Sequence, residues 1–123
     1  MNFIEAAQSG IHNYVNFEGR AQRSAYWYWI LFTVVVYAVA AGLDRILFET
    51  GEMAVTPLNG LAYLALFLPT LALAVRRFHD MDRTGWWVLL GFTGIGGLIL
   101  IVWFCQPGTR GPNRFGPDPL GGV

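Results

Sequence analysis

The stretch Pro69 to Trp87, P-T-L-A-L-A-V-R-R-F-H-D-M-D-R-T-G-W-W, holds three of the chain's eight arginines, one of its two histidines and two of its eight acids, and it lies between two long apolar runs. So much charge in so short a break is the pattern of a turn between membrane spans, where guanidinium groups meet headgroups and flanking tryptophans sit at the interface. The run before it, Leu58 to Val75, and the run after it, Trp86 to Phe104, contain no Asp, Glu, Lys or Arg, and neither does a third run, Tyr26 to Leu43. As a helix rising 1.5 Å per residue each covers about 27–29 Å, close to the ~30 Å hydrocarbon core of a bilayer. In lipid the backbone groups must be satisfied within the segment, so runs of this length read as helices.

Composition agrees. Of 123 residues 54% are hydrophobic, 13% are charged and none is lysine, against about 25% charged residues in an ordinary soluble domain. Three buried helices in so small a soluble protein would leave almost no amphipathic cover. The expectation is therefore an all-α integral membrane protein, a single membrane domain over residues 1–123, with three transmembrane helices near 26–43, 58–75 and 86–104. Tyr26, Trp27, Tyr28 and Trp29 open the first run, Trp86 and Trp87 open the third, and Trp103 with Phe104 closes it, as expected of amphipathic rings at headgroup depth. A cleaved leader usually occupies about the first 15–30 residues. Here the apolar run starts only at Tyr26, so it reads as a retained span.

Ahead of that span Phe3, Ile4, Ala7, Ile11, Tyr14 and Val15 recur at helical spacing, opposite Asn2, Glu5, Gln8, Ser9, His12 and Asn13. This predicts an N-terminal amphipathic helix that either lies in the interface or packs on the spans. Pro69 predicts a kink in the second span, and Gly91, Gly94, Gly96 and Gly97 permit bending or close approach in the third. With three spans, Arg20, Arg23, Arg76, Arg77 and Arg83 share one face and Arg45, Arg110 and Arg114 the other. That excess favours a cytoplasmic N-terminus and an external C-terminus.

Reactive chemistry is sparse. His79, Asp80 and Asp82 beside Arg76, Arg77 and Arg83 bring together a base, carboxylates and anion-binding guanidinium groups. Yet His79 and Asp80 are adjacent, no second histidine is near, and Cys105 lies at the far end of the third run, so no metal site is expected. Thr84 is the one hydroxyl beside them, so no catalytic residue, no cofactor and no enzyme activity are expected. The pattern predicts a polar interfacial turn whose arginines pair with local acids and with anionic lipid headgroups. The start of the first span falls at the same face. Arg20, Arg23, Arg76, Arg77, His79, Asp80, Asp82 and Arg83 thus form one candidate interaction or lipid-headgroup cluster, in which Arg20 or Arg23 should reach Asp80 or Asp82. Cys105 is the only cysteine, which excludes an internal disulfide. The tail, Gln106 to Val123, has four prolines and five glycines. It reads as turns or an extended strap, disordered by default, with Phe115 anchoring at the interface.

Three patches occur in order along the chain: F-E-G-R-A-Q-R-S-A-Y-W (Phe17 to Trp27), the Pro69 to Trp87 stretch, and N-R-F-G-P-D-P (Asn113 to Pro119). Together they resemble the domain of unknown function 805 family, a group of small bacterial inner-membrane proteins that includes the YhaH-like proteins, and the resemblance spans most of the chain. It implies a compact multi-pass protein of the bacterial inner (plasma) membrane and brings no substrate or reaction with it. Members often carry a proline near the middle of the third run, where this chain has Thr93-Gly94-Ile95-Gly96. The expected function is that of a structural or regulatory partner in a membrane complex, contacted through the charged turn 76–85. The alternative is a subunit of an oligomeric small transporter or channel, with an enzyme acting on lipid behind both. Three helices enclose little pore, and the spans offer no charged side chain to line one. The partners expected are the bilayer and its anionic headgroups, together with a membrane protein or a second copy. No nucleic acid is expected.

Overall fold

A computed structural model describes residues 2–48 and 56–120. In chain order it comprises α1 (Phe3–His12), α2 (Arg23–Leu47), α3 (Pro57–Asp80), a 3-10 helix (Gly85–Phe92) and α4 (Gly94–Cys105). The only β-type pairing among the described residues is a single bridge between Asn113 and Gly116.

Helices α2 and α3, of 25 and 24 residues, are long and apolar enough to cross a membrane. They run antiparallel and are tied at both ends. The Ala21 N–H, just ahead of α2, donates to the Arg76 carbonyl in the last turn of α3 (3.0 Å). At the opposite end the buried Asp44 of α2 accepts from the N–H groups of Leu58 (2.9 Å) and Asn59 (3.1 Å) in the first turn of α3. Those donors are among the four that a helix cannot satisfy itself, and a carboxylate there also suits the macrodipole. Pro69 is buried inside α3, which runs through it unbroken.

Trp29 is the centre of the core between α1, α2 and α3. It is fully buried, its indole N–H donates to the Thr70 hydroxyl (3.0 Å), and its ring lies so close to Gly10 that a Cβ there would overlap it. The expected N-terminal helix is present, started by the Asn2 side chain accepting from the Glu5 N–H (2.8 Å). Its packed face differs from the aliphatic one read from periodicity. Ala6 and Gly10 are buried, because only small residues admit the indole, whereas Ile4, Ile11 and Val15 stay exposed.

The expected third span over 86–104 is not one helix, and the described residues hold two membrane-length helices rather than three. The run is divided at Thr93, whose backbone is extended (ψ 148°). The Thr93 hydroxyl donates to the Leu90 carbonyl (2.8 Å) and accepts from the Gly96 N–H (3.1 Å), so it closes the 3-10 helix and caps α4. Gly96 is needed here, since a Cβ would run into the Leu90 carbonyl and the Thr93 hydroxyl. The 3-10 arm covers about 16 Å and α4 about 18 Å, each little more than half of a ~30 Å core. The arms fold back on each other: the Trp87 and Trp103 rings meet edge to face at 5.5 Å, and the Arg83 guanidinium lies 4.0 Å from the centre of the Trp103 ring. The tail therefore returns to the end of the molecule that carries the Arg76–Arg83 turn, instead of continuing to the far face. Hydropathy averaged over a window does not register one hydroxyl that starts a new helix.

Candidate functional site

The charged turn is built by the way α3 stops. Asp82 adopts the left-handed conformation (φ 57°); its N–H donates to the His79 carbonyl (3.0 Å), and the Arg83 N–H donates to the Phe78 carbonyl (2.9 Å). These are the two closing bonds of a Schellman cap, with aspartate where glycine is usual. The last turn before it directs Arg76, Arg77, His79 and Asp80 into the protein, where all four are buried.

Asp80 is the centre of the site. Arg77 pairs with it at 2.7 Å and Arg20 at 3.0 Å, and the three side chains are at most 4% exposed. The Arg20–Asp80 contact expected from the sequence is thus present. A charge this far from water is costly unless its hydrogen-bonding capacity is filled, and here backbone carbonyls fill it. Arg77 donates to the carbonyls of Phe104 (3.1 Å) and Gln106 at the end of α4. Arg20 donates to the carbonyls of Gly111 (2.6 Å), Gly116 (3.3 Å) and Thr109.

Those carbonyls belong to the tail, which is an ordered strap over residues 106–120; residues 121–123 lie outside the described residues. The Thr109 N–H donates to the Asp80 carbonyl (2.6 Å), and the Asn113 amide donates to the His79 carbonyl (2.9 Å). Gly108 runs against the Asp80 carboxylate with no room for a Cβ. Phe115 does not serve as a lipid anchor. It stacks flat on His79, with ring centres 4.0 Å apart and planes 3° from parallel, while His79 Nδ1 donates to the Gly19 carbonyl (2.8 Å).

The remaining cluster residues surround this knot. Arg23 is exposed and donates to the Cys105 carbonyl (3.0 Å), next to the Trp27 indole, which donates to the Phe104 carbonyl (3.0 Å). Asp82 pairs with Arg114 at 3.2 Å, with both side chains about half exposed. Arg83 lies over the Trp103 ring. Arg76 is buried close by, and its Nε and Nη2 have no hydrogen-bond partner among the described residues. Thr109, Gly111, Gly116, Asn113 and Phe115 were missed as members of the site. Most of them contribute a carbonyl, which any residue has, and only the co-occurrence of N-R-F-G-P-D-P with the arginine patches hinted at the connection.

Chemically the arrangement is a fastener. Both Asp80 oxygens accept from guanidinium groups. Among the described residues no group of three or more His, Cys, Asp or Glu is placed to hold a metal ion.

Residues 14–117 match the family described as "Protein of unknown function (DUF805)". Inner membrane protein YhaI of Escherichia coli (strain K12) is 47% identical over 112 residues, 90% of this chain and 92% of that protein. Inner membrane protein YhaH of the same organism is 46% identical over 113 residues, 89% and 91% of the two chains. No solved structure matches. The knot and the strap as far as residue 117 lie within the matched region, and the chain belongs to the DUF805 family.

Proposed function

We propose that this is a two-span inner-membrane protein with its arginine-rich end in the cytoplasm, serving as a structural or regulatory partner in a membrane complex. Seven of the eight arginines, all but Arg45, fall at the end where α2 begins and where α3 and α4 finish. The positive-inside rule favours that end as cytoplasmic, and relatives that cover most of the chain are named inner membrane proteins.

The observation that carries the partner reading is the closed state of the knot. Arg20, Arg77 and Asp80 are used up inside the protein, so they stiffen a cap rather than offer a docking surface. What the molecule presents outward is the hairpin, where Trp86, Phe92 and Ile95 are each more than 75% exposed, and a polar rim of Asp82, Arg83 and Arg114. A rigid cap with an apolar hairpin beneath it suits a protein that holds a larger membrane protein in place. The test is purification of the chain from native membranes in a mild detergent. A defined partner in fixed stoichiometry, lost on Ile95→Ser and retained on Arg114→Ala, is the expected result; a chain that elutes alone, as monomer or homo-oligomer, would refute it.

A further inference from the structure

A groove of about 490 Å³ runs between α3 and the 3-10 helix, lined by Leu71, Val75 and His79 on one side, Trp86 and Val88 on the other, with Phe17 and Thr84 also on its wall. We infer that it is a binding site for one acyl chain of a phospholipid whose headgroup donates a hydrogen bond to the His79–Thr84 end. The inference rests on the membrane location and is independent of any protein partner.

Polarity along the groove makes the first part of the argument. Leu71, Val75 and His79 are spaced four apart, so they form one line along α3 about 12 Å long. The line starts apolar at Leu71 and Val75 and becomes polar at His79, where the arginine-rich turn begins. That gradient follows the membrane normal in the same sense as a lipid's own. Shape makes the second part. Gly85 packs so tightly on α3 that a Cβ would come within 2.6 Å of Val75 Cγ1, which fixes the spacing of the two walls. A single polymethylene chain is slim enough to lie along a groove whose walls are held in this way.

Hydrogen-bonding chemistry selects the headgroup. His79 Nδ1 points at the Gly19 carbonyl, which can only accept, so this nitrogen carries the proton, and Phe115 covers one face of the ring. When the ring is neutral, Nε2 is then an acceptor, and no hydrogen bond to it is found among the described residues. Thr84 is exposed beside it. The groove mouth therefore offers an acceptor and a hydroxyl, and no lining residue carries a fixed charge. A headgroup with N–H or O–H donors, ethanolamine or glycerol, satisfies it. Choline, with neither, does not.

The test is native mass spectrometry of the full chain released from vesicles of equal parts phosphatidylethanolamine, phosphatidylglycerol and phosphatidylcholine. One phospholipid per chain should be retained, with the two donor headgroups favoured over choline by about threefold to tenfold, the worth of one net hydrogen bond. Leu71→Trp, which fills the apolar end, should abolish retention. Thr84→Val, on the exposed rim, should keep the lipid but lessen the headgroup preference, and it carries the test should the tryptophan variant fold poorly. Retention without headgroup preference in the parent, or unchanged by Leu71→Trp, would overturn the inference. So would a parent dimer that Leu71→Trp converts to monomer with no change in lipid, which would make the groove a contact between copies.

Discussion

Replacing Arg77 with methionine keeps the length of the side chain in a buried site and removes the guanidinium alone. Three hydrogen bonds disappear, to Asp80, to the Phe104 carbonyl and to the Gln106 carbonyl. Deleting one member of a buried ion pair costs about 3–5 kcal/mol, because the other charge is left behind. Two contacts reduce that here: Arg20 still pairs with Asp80, and the Trp27 indole still donates to the Phe104 carbonyl. The lower end of the range, about 3 kcal/mol, is therefore expected. For a domain of this size that corresponds to a fall in Tm on the order of 10 °C. Tryptophan fluorescence of the purified protein in mild detergent reads it directly, since Trp27 and Trp103 border the knot. Arg114→Ala is the control, because its pair with Asp82 is half exposed and worth about 0–1 kcal/mol. If Arg77→Met melts within 3 °C or so of Arg114→Ala, where the two should differ by several degrees, the knot does not hold the cap together.

Three further outcomes are expected. A reporter fused after Val123 should be active in the same compartment as one placed within Met81–Thr84, because the hairpin returns the tail to that face; opposite compartments would restore a third crossing. Truncation after Gly108 and Arg20→Met should each lower the melting temperature, and because both remove the contacts of Arg20 with Thr109, Gly111 and Gly116, the double variant should lose less than the sum of the two; fully additive losses would show two separate supports. Gly10→Ala should destabilise by about 1–3 kcal/mol, because the added methyl displaces the Trp29 ring, and an unchanged unfolding curve would mean that α1 does not rest on that ring.

The two spans were legible because a continuous apolar run leaves a lipid-exposed helix no competitor. The first helix reaches past its apolar run at both ends, because Arg23 and Asp44 bound the run but belong to α2. The break in the third run was not legible, since it depends on one Thr93 hydroxyl and on the absence of a side chain at Gly96. The Arg20–Asp80 pair followed from topology: antiparallel spans bring the start of one beside the end of the next. The strap could not be found in this way. Arginines that bind backbone carbonyls choose a path of the chain, not a residue type, so nothing at positions 109, 111 or 116 advertises the contact. The amphipathic pattern of α1 misled in a different manner, because the residues most apolar by type are not the ones that admit an indole.

The acceptors that Arg20 requires lie 89 to 96 residues later in the chain. At about 5–20 residues per second, they leave the ribosome roughly 5–20 seconds after Arg20 does. Once Asp80 has emerged, 29 residues ahead of Thr109, both long helices can be inserted and paired, while the guanidinium groups at the arginine-rich end still lack the carbonyls of the strap. Closure of the cap thus waits for the strap. A chain that stalls or is clipped before Thr109 would be inserted like the complete one yet remain open at its arginine-rich end, which is the difference that a membrane protease surveying new proteins could read.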